Sequence, residues 1–130
     1  MVEVLFNGVD QPIDTVEALG QALDQFDSHT HFELWCSVPE GPSLLMLRSG
    51  SHAWLMYLRF TGDAGFHSVG VAEREGTGSY LLANGQKDHY PVAWCIDLEQ
   101  CYKAVAYFFV NAGERAPWVH WHEDQAAELK

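Results

Sequence analysis

The sequence predicts an α+β domain: a curved antiparallel sheet of about 6–7 strands with two helices packed on it. Three observations predict this. Seven segments read as strands and two as helices, in the order strand, helix, five strands, helix, strand. The middle strands are joined by short turns rich in Gly and Pro, which makes neighbours antiparallel, because a parallel connection needs a crossover of about a dozen residues or more. A length of 130 residues with 48% hydrophobic side chains suits one core and a single domain over 1–130.

Residues 2–6 form a short strand closed by the turn signal Asn7-Gly8. A helix is expected over 15–26. Asp14 stands as its N-cap with Glu17 three residues on, as a capping box requires, and Val16, Leu19, Leu23 and Phe26 share one face. Residues 31–38 alternate, with Phe32, Leu34, Cys36 and Val38 on one side, so they read as a half-buried strand. Pro39-Glu40-Gly41-Pro42 turns the chain into a strand over 44–48, and Ser49-Gly50-Ser51 turns it into another over 52–60. That last strand is bulky on both faces (Trp54, Met56 and Leu58 against Leu55 and Tyr57), which predicts cover on both sides.

Shorter strands are expected over 67–72 and 79–83, with Gly76-Thr77-Gly78 read as the hairpin turn between them and Asn84-Gly85 as a further turn. The second helix is expected over 98–111. Asp97 is its N-cap, Leu98, Cys101, Tyr102, Val105, Phe108 and Phe109 form its apolar stripe, and Gly113 is its left-handed stop. Glu99 and Lys103 make an i,i+4 pair on the wet face. Residues 117–122 return as a strand, and 122–130 read as a polar tail that frays.

Charge is the most informative bulk property. Eighteen acidic residues face seven basic ones, for a formal net charge of −11. The first 47 residues hold Asp and Glu but no Lys or Arg before Arg48. Nucleic acids and anionic membrane surfaces are polyanions and repel such a chain, whereas a basic partner is its complement. The N-terminus carries Glu3 and no basic n-region, and no apolar run approaches the ~20 residues of a membrane span, so the expected location is the cytoplasm. Cys36, Cys95 and Cys101 are odd in number and read as reduced core thiols.

The sequence lacks the common catalytic signatures, so no enzyme is expected. His29/His31 and His120/His122 are pairs two residues apart, each sharing a face if the segment is extended. Zinc needs three or four converging ligands, and neither HExxH nor paired CxxC supplies them. His31-Phe32-Glu33 matches the first fragment of a zinc deaminase signature, but its P-C-x-x-C partner is missing. No G-x-S-x-G elbow or phosphate-binding glycine spacing occurs. No cofactor and no metal are therefore expected. The competing reading is a small metal- or ligand-binding enzyme using the two histidine pairs. Trp35 and Trp118 sit opposite core-facing positions, either as exposed anchors for a partner or beneath a second layer.

The C-terminal third carries a pattern: Pro91-Val92, Ile96 through Cys101, Ala104-Val105, Phe108-Phe109, then Asn111 through Pro117 and Trp118-Val119-His120-Trp121 with the acidic Glu123. Together with Leu44 to Leu47, Ala53 to Tyr57 and Gly65 to Ser68, it resembles the first-numbered family of small immunity proteins in bacterial polymorphic toxin systems. The similarity spans roughly residues 44–123. It implies a cytoplasmic antidote without catalytic residues that binds a cognate toxin domain, often a nucleic-acid deaminase, including DNA cytosine deaminases. Such a toxin presents a basic substrate surface, which an acidic antidote can cover. Exposed acidic and aromatic residues are the expected toxin contacts: Asp24, Asp27, Asp63, Glu73, Glu75, Asp88 and Tyr90.

Overall fold

Apolar residues at every second position, and at every third or fourth, build the fold around one sheet. The computed structural model describes residues 2–124. The strands β1 (Glu3–Phe6) and β2 (Val9–Gln11) form a hairpin across Asn7-Gly8, both at positive φ (50° and 81°) as a tight two-residue turn requires. There follow α1 (Val16–Phe26), β3 (His31–Ser37), β4 (Ser43–Ser49), β5 (His52–Leu58) and β6 (Phe66–Ser68). Then come β7 (Thr77–Leu81), β8 (Lys87–Pro91), a 3-10 turn (Val92–Trp94), α2 (Leu98–Val110) and β9 (Trp121–Glu123). Seven strands make one antiparallel sheet in the order β2-β1-β3-β4-β5-β6-β9, while β7 and β8 pair apart as a ribbon. This is the α+β architecture that the sequence predicts, with the sheet curved and unclosed.

Both faces of the sheet centre are covered. On one face Val4, Phe32, Leu34, Cys36, Leu44, Met46, Ala53 and Leu55 meet Leu19, Leu23 and Phe26 of α1 and Cys101, Ala104, Val105 and Phe108 of α2. Phe6 stacks on Phe26 with ring centroids 4.0 Å apart. On the other face Leu45, Leu47 and Trp54 are sealed by Tyr80 of β7, with Trp35, Met56, Tyr90 and Trp94 around them. The double cover expected for the strand beginning at residue 52 is therefore present, supplied by helices on one side and by the ribbon on the other. Trp35 is half-buried under this second layer, whereas Trp118 stays exposed with its edge on Tyr107.

Several boundaries differ from expectation, each for a local reason. Thr15, not Asp14, caps α1: its backbone is extended (φ −132°, ψ 156°) and its Oγ1 accepts from the Ala18 N–H at 3.1 Å, so Glu17 completes no capping box. The strand at 67 ends just after Ser68: the Val69 N–H still donates to the His120 carbonyl in step with the pairing to β9, but the Gly70 N–H leaves the ladder for the Ala93 carbonyl. Gly76-Thr77-Gly78 opens β7 instead of turning, and the chain reverses at Asn84-Gly85, where the Gly85 N–H donates to Leu82. β2 and β8 are additional strands. The strand expected over 117–122 begins at Trp121, so the expected tail starts inside β9, and residues 125–130 lie outside the described residues.

Two polar clips tie these elements. Arg48 is 8% exposed and ends α1: its guanidinium donates to the Asp27 carboxylate (2.9 Å) and to the carbonyls of Asp27, His29 and Gly50. A cation there also opposes the negative end of the helix. Tyr102 of α2 donates to the same Asp27 carboxylate at 2.8 Å, which joins the two helices.

The second clip closes the loop after β5. The Asp63 carboxylate accepts from the Arg59 guanidinium at 2.8 and 2.9 Å and from the Arg59 backbone N–H at 2.9 Å. These hydrogen bonds, the side-chain one foremost, hold the Asp63 carboxyl well below the usual carboxylate range. A folded-state pKa below the unfolded one contributes stability that is present above the ordinary carboxylate pKa and lost as pH falls through the depressed value. Asp63→Asn is therefore expected to lower Tm by about 3 °C at pH 7. That difference should shrink as pH falls below the ordinary carboxylate range, and thermal melts at pH 7 and pH 2 check it by a smaller gap at pH 2.

Burial pushes the Cys36 thiol up to about 12 and raises Cys101 as well, as expected of inert core thiols. Cys95 is also buried, with its Sγ 3.2 Å from the Tyr80 hydroxyl.

Candidate functional site

The acidic N-terminal third folds onto one edge of the sheet. β1, β2 and the segment leading into α1 bring Glu3, Asp10 and Asp14 to the rim of a cleft of about 670 Å³. All three carboxylates are exposed. The apolar part of its lining is Val2 and Ile13 on one side, and Phe109 with the exposed Val110 from the last turn of α2 on the other. That last turn contains no basic residue, so the helix directs its negative end here without a countercharge on its own surface. Three carboxylates and a helix C-terminus beside an apolar lining suit a lysine or arginine side chain, whose apolar stem lies on that lining while its charge meets the rim.

The seven expected contacts do not converge on this cleft. Asp24 is exposed on the outer face of α1. Asp27 ends that helix and is engaged by Arg48 and Tyr102. Asp63 is not the free surface charge expected, because its side chain is only 3% exposed inside the Arg59 clip. Glu73 and Glu75 are exposed in the loop between β6 and β7. Asp88 lies on β8 and accepts from Gln86 and from the Tyr90 hydroxyl. Tyr90 faces inward, its ring 4.6 Å from Trp54, so it seals the second layer rather than standing clear as an anchor. Glu3, Asp10 and Asp14, which line the cleft, escaped selection. Their signal was the run without a Lys or Arg before Arg48, but α2 completes the cleft from about a hundred residues further along the chain.

The two histidine pairs do not meet. His31 is on β3 and His122 on β9, four strand spacings or roughly 19 Å apart along the sheet. His29 and His31 are exposed, and His31 Nδ1 pairs with the Thr30 hydroxyl. His120 borders a smaller cavity of about 440 Å³ at the start of α2, with His52, Arg74 and Asp97. Charges of both signs line that cavity, so it selects neither cations nor anions. Among the described residues, no helix is long and apolar enough to cross a membrane. No family model matches the chain, and no curated protein matches it.

Proposed function

We propose that this chain is a binding protein of the immunity kind, which acts by docking on a basic toxin domain and covering its substrate surface, without chemistry of its own. The acid-rimmed cleft of Glu3, Asp10 and Asp14 carries this reading, because it offers a basic side chain both charge and an apolar lining. The net charge of −11 supports it on the larger scale: it steers a basic partner in and keeps nucleic acid away. The resemblance over residues 44–123 suggests the partner class, a nucleic-acid deaminase toxin in the cytoplasm. A deaminase active on DNA surrounds its flipped-base pocket with a basic surface, which a polyanionic protein can occupy in place of the phosphate backbone.

The test is co-expression with the toxin domain encoded beside it. The expected result is survival of the cells, a complex that persists through gel filtration, and loss of deamination in vitro when the purified chain is added. Cell death with no complex on the column would refute the proposal.

A further inference from the structure

We infer that His67, His122 and Asp124 form a binding site for a zinc-like divalent cation that fastens β9 to β6. The side-chain ligand atoms of these three residues all lie within 4.8 Å of one another. Register brings them together: β6 pairs with β9 so that His67 stands directly opposite His122, and the Asp124 N–H donates to the Gly65 carbonyl and continues the ladder.

His67 is the anchor. It is 5% exposed, and its ring is stacked on Trp94 with centroids 3.9 Å apart, so it cannot swing freely. Its Nδ1 lies 3.0 Å from the Ser68 carbonyl oxygen. A carbonyl only accepts, so Nδ1 carries the proton, and in the neutral ring the lone pair sits on Nε2. Metal-binding histidines are characteristically held in this way, with the far nitrogen donating to a carbonyl and the near one aimed at the ion. Here Nε2 faces the Asp124 carboxylate at 3.5 Å, and the ring of His122 stands 5.1 Å from that of His67.

An Nε2 lone pair and a carboxylate at that distance present two acceptors to one point, which a shared proton or a metal ion can fill. One shared proton serves two acceptors, whereas a metal ion serves the third, His122, as well. In a tetrahedral zinc site with bonds of about 2.0–2.1 Å, ligand atoms stand about 3.3 Å apart. The His67–Asp124 pair is already near that spacing. His122 and Asp124 are the more exposed members, and small side-chain rotations close the remaining gap. Two imidazoles and one carboxylate favour zinc, cobalt, nickel or copper over magnesium or calcium, and a solvent molecule takes the fourth position. The site is separate from the acidic cleft, so its test on the isolated chain is independent of any toxin.

The experiment is calorimetric titration of ZnCl2 into chain stripped with EDTA, at pH 7.5, with thermal melts in parallel. The expected result is one equivalent bound and a rise in Tm, with MgCl2 giving neither. His122→Ala and Asp124→Asn should each weaken zinc binding at least about tenfold, the loss caused even by removing a group that merely supports a ligand. Both positions are more exposed than His67, so the metal-free variants should melt close to the parent. Co2+ should give visible tetrahedral bands that His122→Ala abolishes. The double variant His29→Ala/His31→Ala should bind zinc as the parent does. No stoichiometric binding, or binding unchanged in both His122→Ala and Asp124→Asn, overturns the inference.

Discussion

The double variant Glu3→Lys/Asp10→Lys is expected to keep the fold and to weaken binding to a basic toxin partner by a hundredfold or more at low salt. Both side chains are exposed and neither makes an ion pair among the described residues, so little stability rides on them. Reversal removes two attractions and adds two repulsions at the rim of the cleft. Close charge pairs across interfaces couple by about 1.5–7 kcal/mol, so even the low end for each of two pairs exceeds a hundredfold. Part of the loss should appear as slower association, and it should shrink as salt is raised. Biolayer interferometry at two ionic strengths checks this. Glu73→Lys/Glu75→Lys, with the same charge change on the loop between β6 and β7, should cost far less. The reverse ranking would move the docking face from the cleft to that loop.

Trp54→Ala is expected to be the most damaging single change within the second layer, at about 3–5 kcal/mol, the usual cost of truncating a buried large aromatic. Trp54 is 2% exposed on the face of β5 that meets the ribbon, with Tyr90 4.6 Å and Trp94 5.1 Å from its ring. Its loss removes the platform on which β7 and β8 rest, so hydrogen exchange should show ribbon amides opening before those of β3 and β4. Trp54→Phe should cost much less than the alanine change. The indole N–H of Trp54 is buried without a hydrogen-bond partner among the described residues, and phenylalanine removes that unsatisfied donor while keeping most of the ring area. Urea unfolding followed by circular dichroism measures both variants. A Trp54→Phe cost equal to that of Trp54→Ala would show that the indole ring fit outweighs the donor.

What the sequence made legible is what depends on neighbours along the chain. Phe32, Leu34 and Cys36 alternate inward, and Leu19, Leu23 and Phe26 share a helix face, because strand and helix periods act over a few residues. The cap of α1 slipped by one residue because Asp14 and Thr15 are both good caps, and only the extended backbone at Thr15 separates them. β8, with Lys87, Asp88 and His89 ahead of Tyr90 and Pro91, has no strand-like alternation and is made a strand by its partner β7.

Docking of the ribbon onto Trp54 was hidden for a deeper reason. A hairpin that joins a sheet and one that folds over its face carry the same local turn signals. The candidate sites were hidden in the same way. The cleft unites Glu3 with Phe109, and the proposed metal cluster unites His67 with His122, through pairings that no local spacing encodes. His67 itself sits between Phe66 and Ser68 in a segment that reads as core, and only the register with β9 gives it company.

The ends of the sheet have a consequence for the chain's behaviour in concentrated solution. Among the described residues both outer strands are three residues long, β2 at one end and β9 at the other, and each carries exposed acid, Asp10 or Glu123. A bare strand edge is a template on which another copy can grow. An edge that is short and negatively charged offers few backbone groups and repels its own like. A protein whose sheet stops in this way can present a strongly charged face to a foreign chain while giving its own copies little to pair with.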